Sequence, residues 1–134
     1  MGYSHYFNGK AVTKKQLEVL VHAKDLIVRT HLTSGGCAID DESDATTLNI
    51  NGVGEDSLEN LVIEGIDEED IGYEFDFVKT NGKNYDVVIV AILCKLNEIC
   101  PDADVSSDGS RQDWEEGRLL AEQATGTGII PEGV

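Results

Sequence analysis

The chain has 134 residues, enough for one domain with its own core, and 40% of them are hydrophobic, which argues against global disorder. Ten Lys and Arg stand against 26 Asp and Glu, a formal net charge of −16. Such a field repels phosphate backbones and anionic lipid, so direct nucleic-acid binding and membrane binding are disfavoured. The charge has three remaining uses: solubility, mimicry of nucleic acid toward a basic partner, or a negative body around one positive pocket.

Tyr3 to Phe7 is short and aromatic and reads as a strand ending at Asn8-Gly9. Thr13-Lys14-Lys15-Gln16 matches a capping box and starts a helix. Leu17, Leu20, Val21, Ile27 and Val28 form its apolar stripe, and Ser34-Gly35-Gly36 follows its end near Leu32. Asp40 to Asp44 reads as a solvated acidic loop without calcium-loop spacing. Thr47 to Asn51 and Asn60 to Glu64 read as antiparallel strands, joined through the turn around Gly52-Val53-Gly54. Tyr73 to Val78 alternates again, with Tyr73, Phe75 and Phe77 on one face.

Tyr85 to Ile99 is apolar almost throughout. A strand would fit Val87 to Val90, but the length of the run predicts a buried helix of about four turns, stopped by Pro101. Ala103 to Ser106 reads as a short strand and Ser110 as the N-cap of a last helix. Trp114, Gly117, Ala121 and Ala124 share one face of that helix. The sum is a single α+β domain over 1–124, a mostly antiparallel sheet of about five strands with three helices, and an irregular or mobile tail over 125–134.

The three cysteines, Cys37, Cys94 and Cys100, have no CxxC spacing, and Cys94 lies in an apolar run. No apolar stretch reaches the roughly 18 residues of a membrane span, and no leader pattern is present. The expectation is a cytoplasmic protein with no metal and no cofactor. A homo-oligomer is compatible with the chain only because dimers are the commonest symmetric state.

The candidate site begins with Lys79-Thr80-Asn81-Gly82-Lys83, a basic loop before a helix. Amides at a helix N-terminus and two lysines suit an anion; the alternative is an Asn-Gly turn whose lysines offset Asp76 and Asp86. Ser106-Ser107-Asp108-Gly109 offers two hydroxyls and a carboxylate for a polar ligand, or is simply a turn and cap. The two segments share a rim if strand 103–106 lies beside strand 73–78. His5 sits among Tyr3, Tyr6 and Phe7. A hydrolase triad is not expected, because no GxSxG elbow is present and serine–aspartate adjacency in sequence is not triad geometry.

Four segments in order resemble a widespread family of small phage and prophage proteins. Gly2-Tyr3-Ser4-His5-Tyr6-Phe7 resembles its GYTHYW signature. Asn51-Gly52 with Gly54-Glu55-Asp56 and Glu59 resembles its central segment. Phe77-Val78-Lys79-Thr80 with Tyr85-Asp86 resembles FCKT…PYD, and Val105 to Gly109 with Asp113-Trp114 resembles VSSDG…DW. Phe7 replaces the tryptophan, Val78 the cysteine, and Asn81 to Asn84 a basic, proline-containing loop. The resemblance implies phage origin and a host bacterial cytoplasm, and brings no established activity.

The leading functional expectation is a non-catalytic, counter-defence binding protein that sequesters a small anionic, nucleotide-like host signal. Its ligand-binding residues would be His5, Tyr6, Lys79, Thr80, Lys83, Tyr85, Ser106, Ser107 and Asp108, with Tyr3, Tyr6 or Tyr85 stacking on a base. The first alternative is an acidic protein-binding inhibitor or nucleic-acid mimic acting on a basic host protein through residues 40–44 and 64–76. The second is a small phosphodiester or glycosidic hydrolase.

Overall fold

The computed structural model describes residues 3–134, which form an α+β domain. Strand β1 (Ser4–Asn8) leads to helix α1 (Lys14–Thr33), where the Thr13 hydroxyl accepts from the Gln16 amide at 3.1 Å and the Gln16 side chain accepts from the Thr13 amide at 3.0 Å. These bonds satisfy two donors that a helix start would otherwise leave open. Leu17, Leu20 and Ile27 carry the stripe into the core.

Strands β2 (Ile39–Asp41), β3 (Thr47–Gly52) and β4 (Leu61–Glu64) form one antiparallel sheet in the order β2-β3-β4. Strand β5 (Phe75–Lys79) and the two-residue β6 (Ser106–Ser107) flank β1 in a second antiparallel sheet, β5-β1-β6. The expected single sheet of about five strands is thus six strands in two sheets of three. The break has a local cause. The Glu59 amide donates to Lys79 O at 3.3 Å, but the Lys79 amide donates to the Glu59 carboxylate at 2.8 Å rather than to a carbonyl. A side-chain acceptor ends the ladder after one bond, and the edges of β4 and β5 diverge beyond it.

Helix α2 (Asp86–Ile99) is the centre of the core, with every residue from Val88 to Leu96 buried. Each fully buried Val, Ile or Leu contributes about 1.5–3 kcal/mol, which is why this segment has no polar face to spare. Helix α3 (Arg111–Thr125) starts at a second capping box, Ser110 with Asp113, and lays Trp114, Gly117 and Ala121 against the core. Gly117 is required for that approach: a Cβ there would sit 2.4 Å from Val90 Cγ1.

The expected strand over 103–106 is displaced. Pro101–Ala103 forms a 3₁₀ turn, Asp104 has φ +51°, and pairing begins only at Ser106. Nor does this segment lie beside β5, because β1 separates them. The tail is irregular but docked: Arg111 donates to Pro131 O at 3.0 Å, Gly133 bridges to Ser106, and Ile130 is buried.

Candidate functional site

With β1 in the middle, the Lys79–Lys83 loop and the Ser106–Gly109 turn flank the same end of the sheet. The Thr80 and Asn81 amides donate to Tyr3 O, each at 3.1 Å, and the Asp108 amide donates to Ser4 O at 3.0 Å. The two segments do share a rim. The period-two alternation of the strands then divides the candidate residues between two faces.

The inner face carries His5, Thr80 and Ser107. His5 is fully buried, with its Nε2 2.7 Å from Asp86 Oδ1 and its Nδ1 2.7 Å from Ser107 Oγ. A carboxylate can only accept, so Nε2 carries a proton and donates to Asp86, while Nδ1 and the Ser107 hydroxyl form the second bond. Thr80 Oγ1 donates to the same Asp86 oxygen at 2.6 Å, and the Gly109 amide donates to Ser107 Oγ at 2.9 Å. The rings of Tyr3 and Trp114 each meet His5 edge-on at 5.1 Å. Burial and the nearby Asp86 and Asp113 push the Tyr3 phenol up to about 12.

A serine–histidine–aspartate relay therefore exists, with Asp86 rather than Asp108 as its acid. Among the described cavities, none is lined by His5 or Ser107, and Ser107 Oγ is already engaged by His5 and the Gly109 amide. The relay ties β1, β6 and α2 together. Trp114 Nε1 beside it is buried without a hydrogen-bond partner.

The outer face carries Tyr6, Lys79 and Ser106, since Tyr6 pairs with both Phe77 and Ser106, and Ser4 pairs with Lys79. Asp108 reaches it from the turn: its carboxylate accepts the Tyr6 hydroxyl at 2.8 Å and the Ser4 amide at 3.0 Å. The bond to Asp108 raises the Tyr6 pKa. Phe75 and Phe77 complete this face. Tyr6 stacks on Phe75 at 5.6 Å and Phe75 lies 6.2 Å from Phe77. Phe75 is 60% and Phe77 49% exposed, large values for phenylalanines on adjacent sites.

Tyr85 is at neither surface. It is fully buried, its hydroxyl donates to Glu59 O at 2.7 Å, and burial, then Asp86, raises its pKa. It cannot stack on a ligand without leaving the core. Lys83 closes the turn, its amide donating to Thr80 O at 3.0 Å. Beside it is a cavity of about 150 Å³ lined also by Asp86, Asp113 and Glu116, so carboxylates dominate the start of α2 where an anion was expected. Half of the other eight cations are committed: Lys14, Lys24, Lys95 and Arg118 form ion pairs with Asp67, with Asp25 and Asp41, with Glu98, and with Glu115 and Glu122. Among the described residues Lys79 and Lys83 form none, so they do not neutralise Asp76 or Asp86 as the turn alternative required.

A second concavity of about 560 Å³ lies between the end of α1 and α3, walled by His31, Ser34 to Cys37, and Leu120. Cys37 Sγ lies 3.6 Å from His31 Nε2, but burial and Asp56 raise the thiol pKa, so the neutral thiol prevails at neutral pH. For a cation, the described residues bring together the carboxylates of Asp67, Glu69 and Asp70 on an exposed turn, an arrangement common without any ion. No described helix is long and apolar enough to cross a membrane. No protein-family model, curated protein or solved structure matches the chain.

Sequence reasoning found the rim but missed the role of Phe75 and Phe77. Their alternation with Asp76 and Val78 was legible. Which face met the core was not, because the aromatic face of Tyr73, Phe75 and Phe77 is the exposed one, while the face of Glu74, Asp76 and Val78 sends the small Val78 into the core.

Proposed function

We propose that this protein is a non-catalytic binding protein that captures a basic protein partner on the outer face of the β5-β1-β6 sheet. The observation that carries this reading is the open row Tyr6–Phe75–Phe77 on a body of net charge −16. Rigid aromatic side chains supply interface area at low entropic cost, and the surrounding carboxylates favour cations and steer their approach. Tyr6 and Phe75 line none of the described cavities, whereas small ligands sit in concave sites, so a macromolecule fits this face better. The same charge selects against nucleic acid. The resemblance to phage proteins would place the partner in a bacterial host, where capture of a basic defence or nucleic-acid enzyme would act as counter-defence.

A photo-cross-linking amino acid at position 77 tests this in host cells. One basic protein should cross-link there and not when the same group replaces Val19, which is equally exposed on α1. Equal labelling from both positions would remove the reading.

A second reading is the sequestering of a small anionic, nucleotide-like molecule. It is favoured by the unpaired Lys79, which shares the outer face with Tyr6 and Ser106, near Asp108. Phe75 and Phe77 would then serve as the stacking surface in place of Tyr85. Calorimetric titration with cyclic and linear nucleotides, wild type against Lys79→Ala, separates the two readings: only a small-anion site loses its ligand with that lysine.

A further inference from the structure

The gap between the two sheets has edges of a particular kind. In the β1–β5 pairing, Thr80 donates to Tyr3 O and Gly9 donates to Glu74 O. By alternation, the residues bonded to β1 are Glu74, Asp76, Val78 and Thr80. The backbones of Phe75 and Phe77 therefore turn away from β1. In the β3–β4 pairing, Gly65 donates to Thr46 O, so Leu61 and Ile63 bond to β3 while Val62 and Glu64 turn away. Between them is a cavity of about 350 Å³, lined on one side by Val62 and Glu64 and on the other by Glu74, Asp76 and Phe77, with Lys10 also in the lining. Two unpaired strand edges thus look at each other across an open slot.

Exposed edges invite pairing, and proteins that leave them bare usually protect them with charge. Here the Phe77 amide is held by the Asp76 carboxylate at 2.9 Å, a cover made by a single side chain. A second copy of this chain is a poor occupant: edge-to-edge pairing would bring Glu74 and Asp76 against the same residues of another −16 body. A strand carrying Lys or Arg on one face meets Glu74 and Asp76, which share a face of β5 and outnumber the one cation of the lining, Lys10, and its alternate apolar side chains meet Phe77 on the opposite face and Val62, which are 49% and 39% exposed.

We propose that this slot receives an extended basic segment of the partner, added as a strand along the Phe75–Phe77 edge. The inference rests on the protein-capture reading and narrows it to strand addition, in which main-chain bonds give affinity and alternating side chains give selectivity.

The probe is an alternating Lys-Val octapeptide with blocked ends, its alternating Glu-Val counterpart being the control. Amide hydrogen exchange of the intact protein is followed by NMR. The Lys-Val peptide should slow exchange at Phe75 and Phe77 by about tenfold or more, and the Glu-Val peptide should leave both unchanged. Phe77→Pro should abolish the protection at Phe75, because it deletes an outward amide and leaves the β1 ladder intact, whereas Phe77→Ala should keep it. Should Phe77→Pro not fold, Glu74→Lys with Asp76→Lys takes its place and should weaken Lys-Val binding by about tenfold or more. Protection that rises with protein concentration in the absence of peptide would assign the edge to a second copy and overturn the proposal. So would peptide binding that shifts the Tyr6 and Phe75 rings without protecting the edge amides, or no binding at all. If the partner still cross-links at position 77 in those cases, strand addition fails while protein capture stands; loss of that cross-link removes the capture reading itself.

Discussion

His5 and Tyr6 are neighbours in sequence and lie on opposite faces of one strand. The imidazole of His5 is sealed between Asp86 and Ser107, while the ring of Tyr6 stacks in the open on Phe75. One residue of displacement separates the group that holds the sheet to α2 from the surface available to a partner.

The inner residue should therefore govern stability. His5→Ala leaves Ser107 and Asp86 short of a partner inside the protein and opens a cavity beside Trp114. A loss of about 2–4 kcal/mol is expected in urea unfolding, with partial recovery in His5→Gln. Ser107→Ala should be milder and should leave partner capture unchanged; loss of capture with retained stability would place Ser107 in the binding surface.

The outer residues should behave in the opposite way. Phe75→Ser and Phe77→Ser remove exposed rings and should shift stability by no more than about 0.5 kcal/mol. The check is an unfolding curve superimposable on wild type. A large loss would mean that the rings are held by the fold and not offered to a partner.

The depth of burial around α2 can be tested at Gly117. Alanine is the better helix former by about 1 kcal/mol, yet the methyl would meet Val90 at 2.4 Å. Overpacking should win, and Gly117→Ala should destabilise by about 1–3 kcal/mol in thermal or chemical unfolding.

Most strand, helix and cap positions were legible because local chemistry dictates them; the strand read at 103–106 was not, because Pro101–Ala103 turns as a 3₁₀ helix and pairing begins only at Ser106. Thr13 with Gln16 and Ser110 with Asp113 fix two helix starts, and the apolar run after Tyr85 is too long for a strand. The rim was legible too, since polar residues at two strand ends stood out in a chain short of lysine. The division of the sheet was not, because it depends on where the Glu59 carboxylate lands, and Glu59 lies 20 residues from Lys79. The burial of Tyr85 and His5 was hidden for a similar reason. An aromatic hydroxyl or an imidazole reads as a surface group until distant residues supply its hydrogen bonds, here Glu59 for Tyr85, and Asp86 and Ser107 for His5.

Acid stability should depend on the Lys24–Asp41 pair. Burial alone would raise the Asp41 carboxyl, but the Lys24 ammonium at 2.7 Å and the Ser43 amide at 3.0 Å outweigh it and hold the pKa below its ordinary 3.8. A carboxyl lowered in the folded state stabilises the protein above its unfolded pKa, and that contribution is lost as pH falls through the folded value. Urea midpoints should show Asp41→Asn weaker than wild type at neutral pH, with the difference shrinking below about pH 4. A constant difference down to acid pH would show that the pair does not act through its charge.

The affinity of the captured partner for the outer face tests the central proposal most directly. Measured by calorimetry, Phe75→Ser with Phe77→Ser should weaken binding by about a hundredfold or more, and added salt should weaken it further. Lys79→Ala should leave it unchanged or slightly stronger, since it removes a cation from a surface that attracts cations. Unchanged affinity in the double variant, or loss of binding in Lys79→Ala alone, would contradict the account.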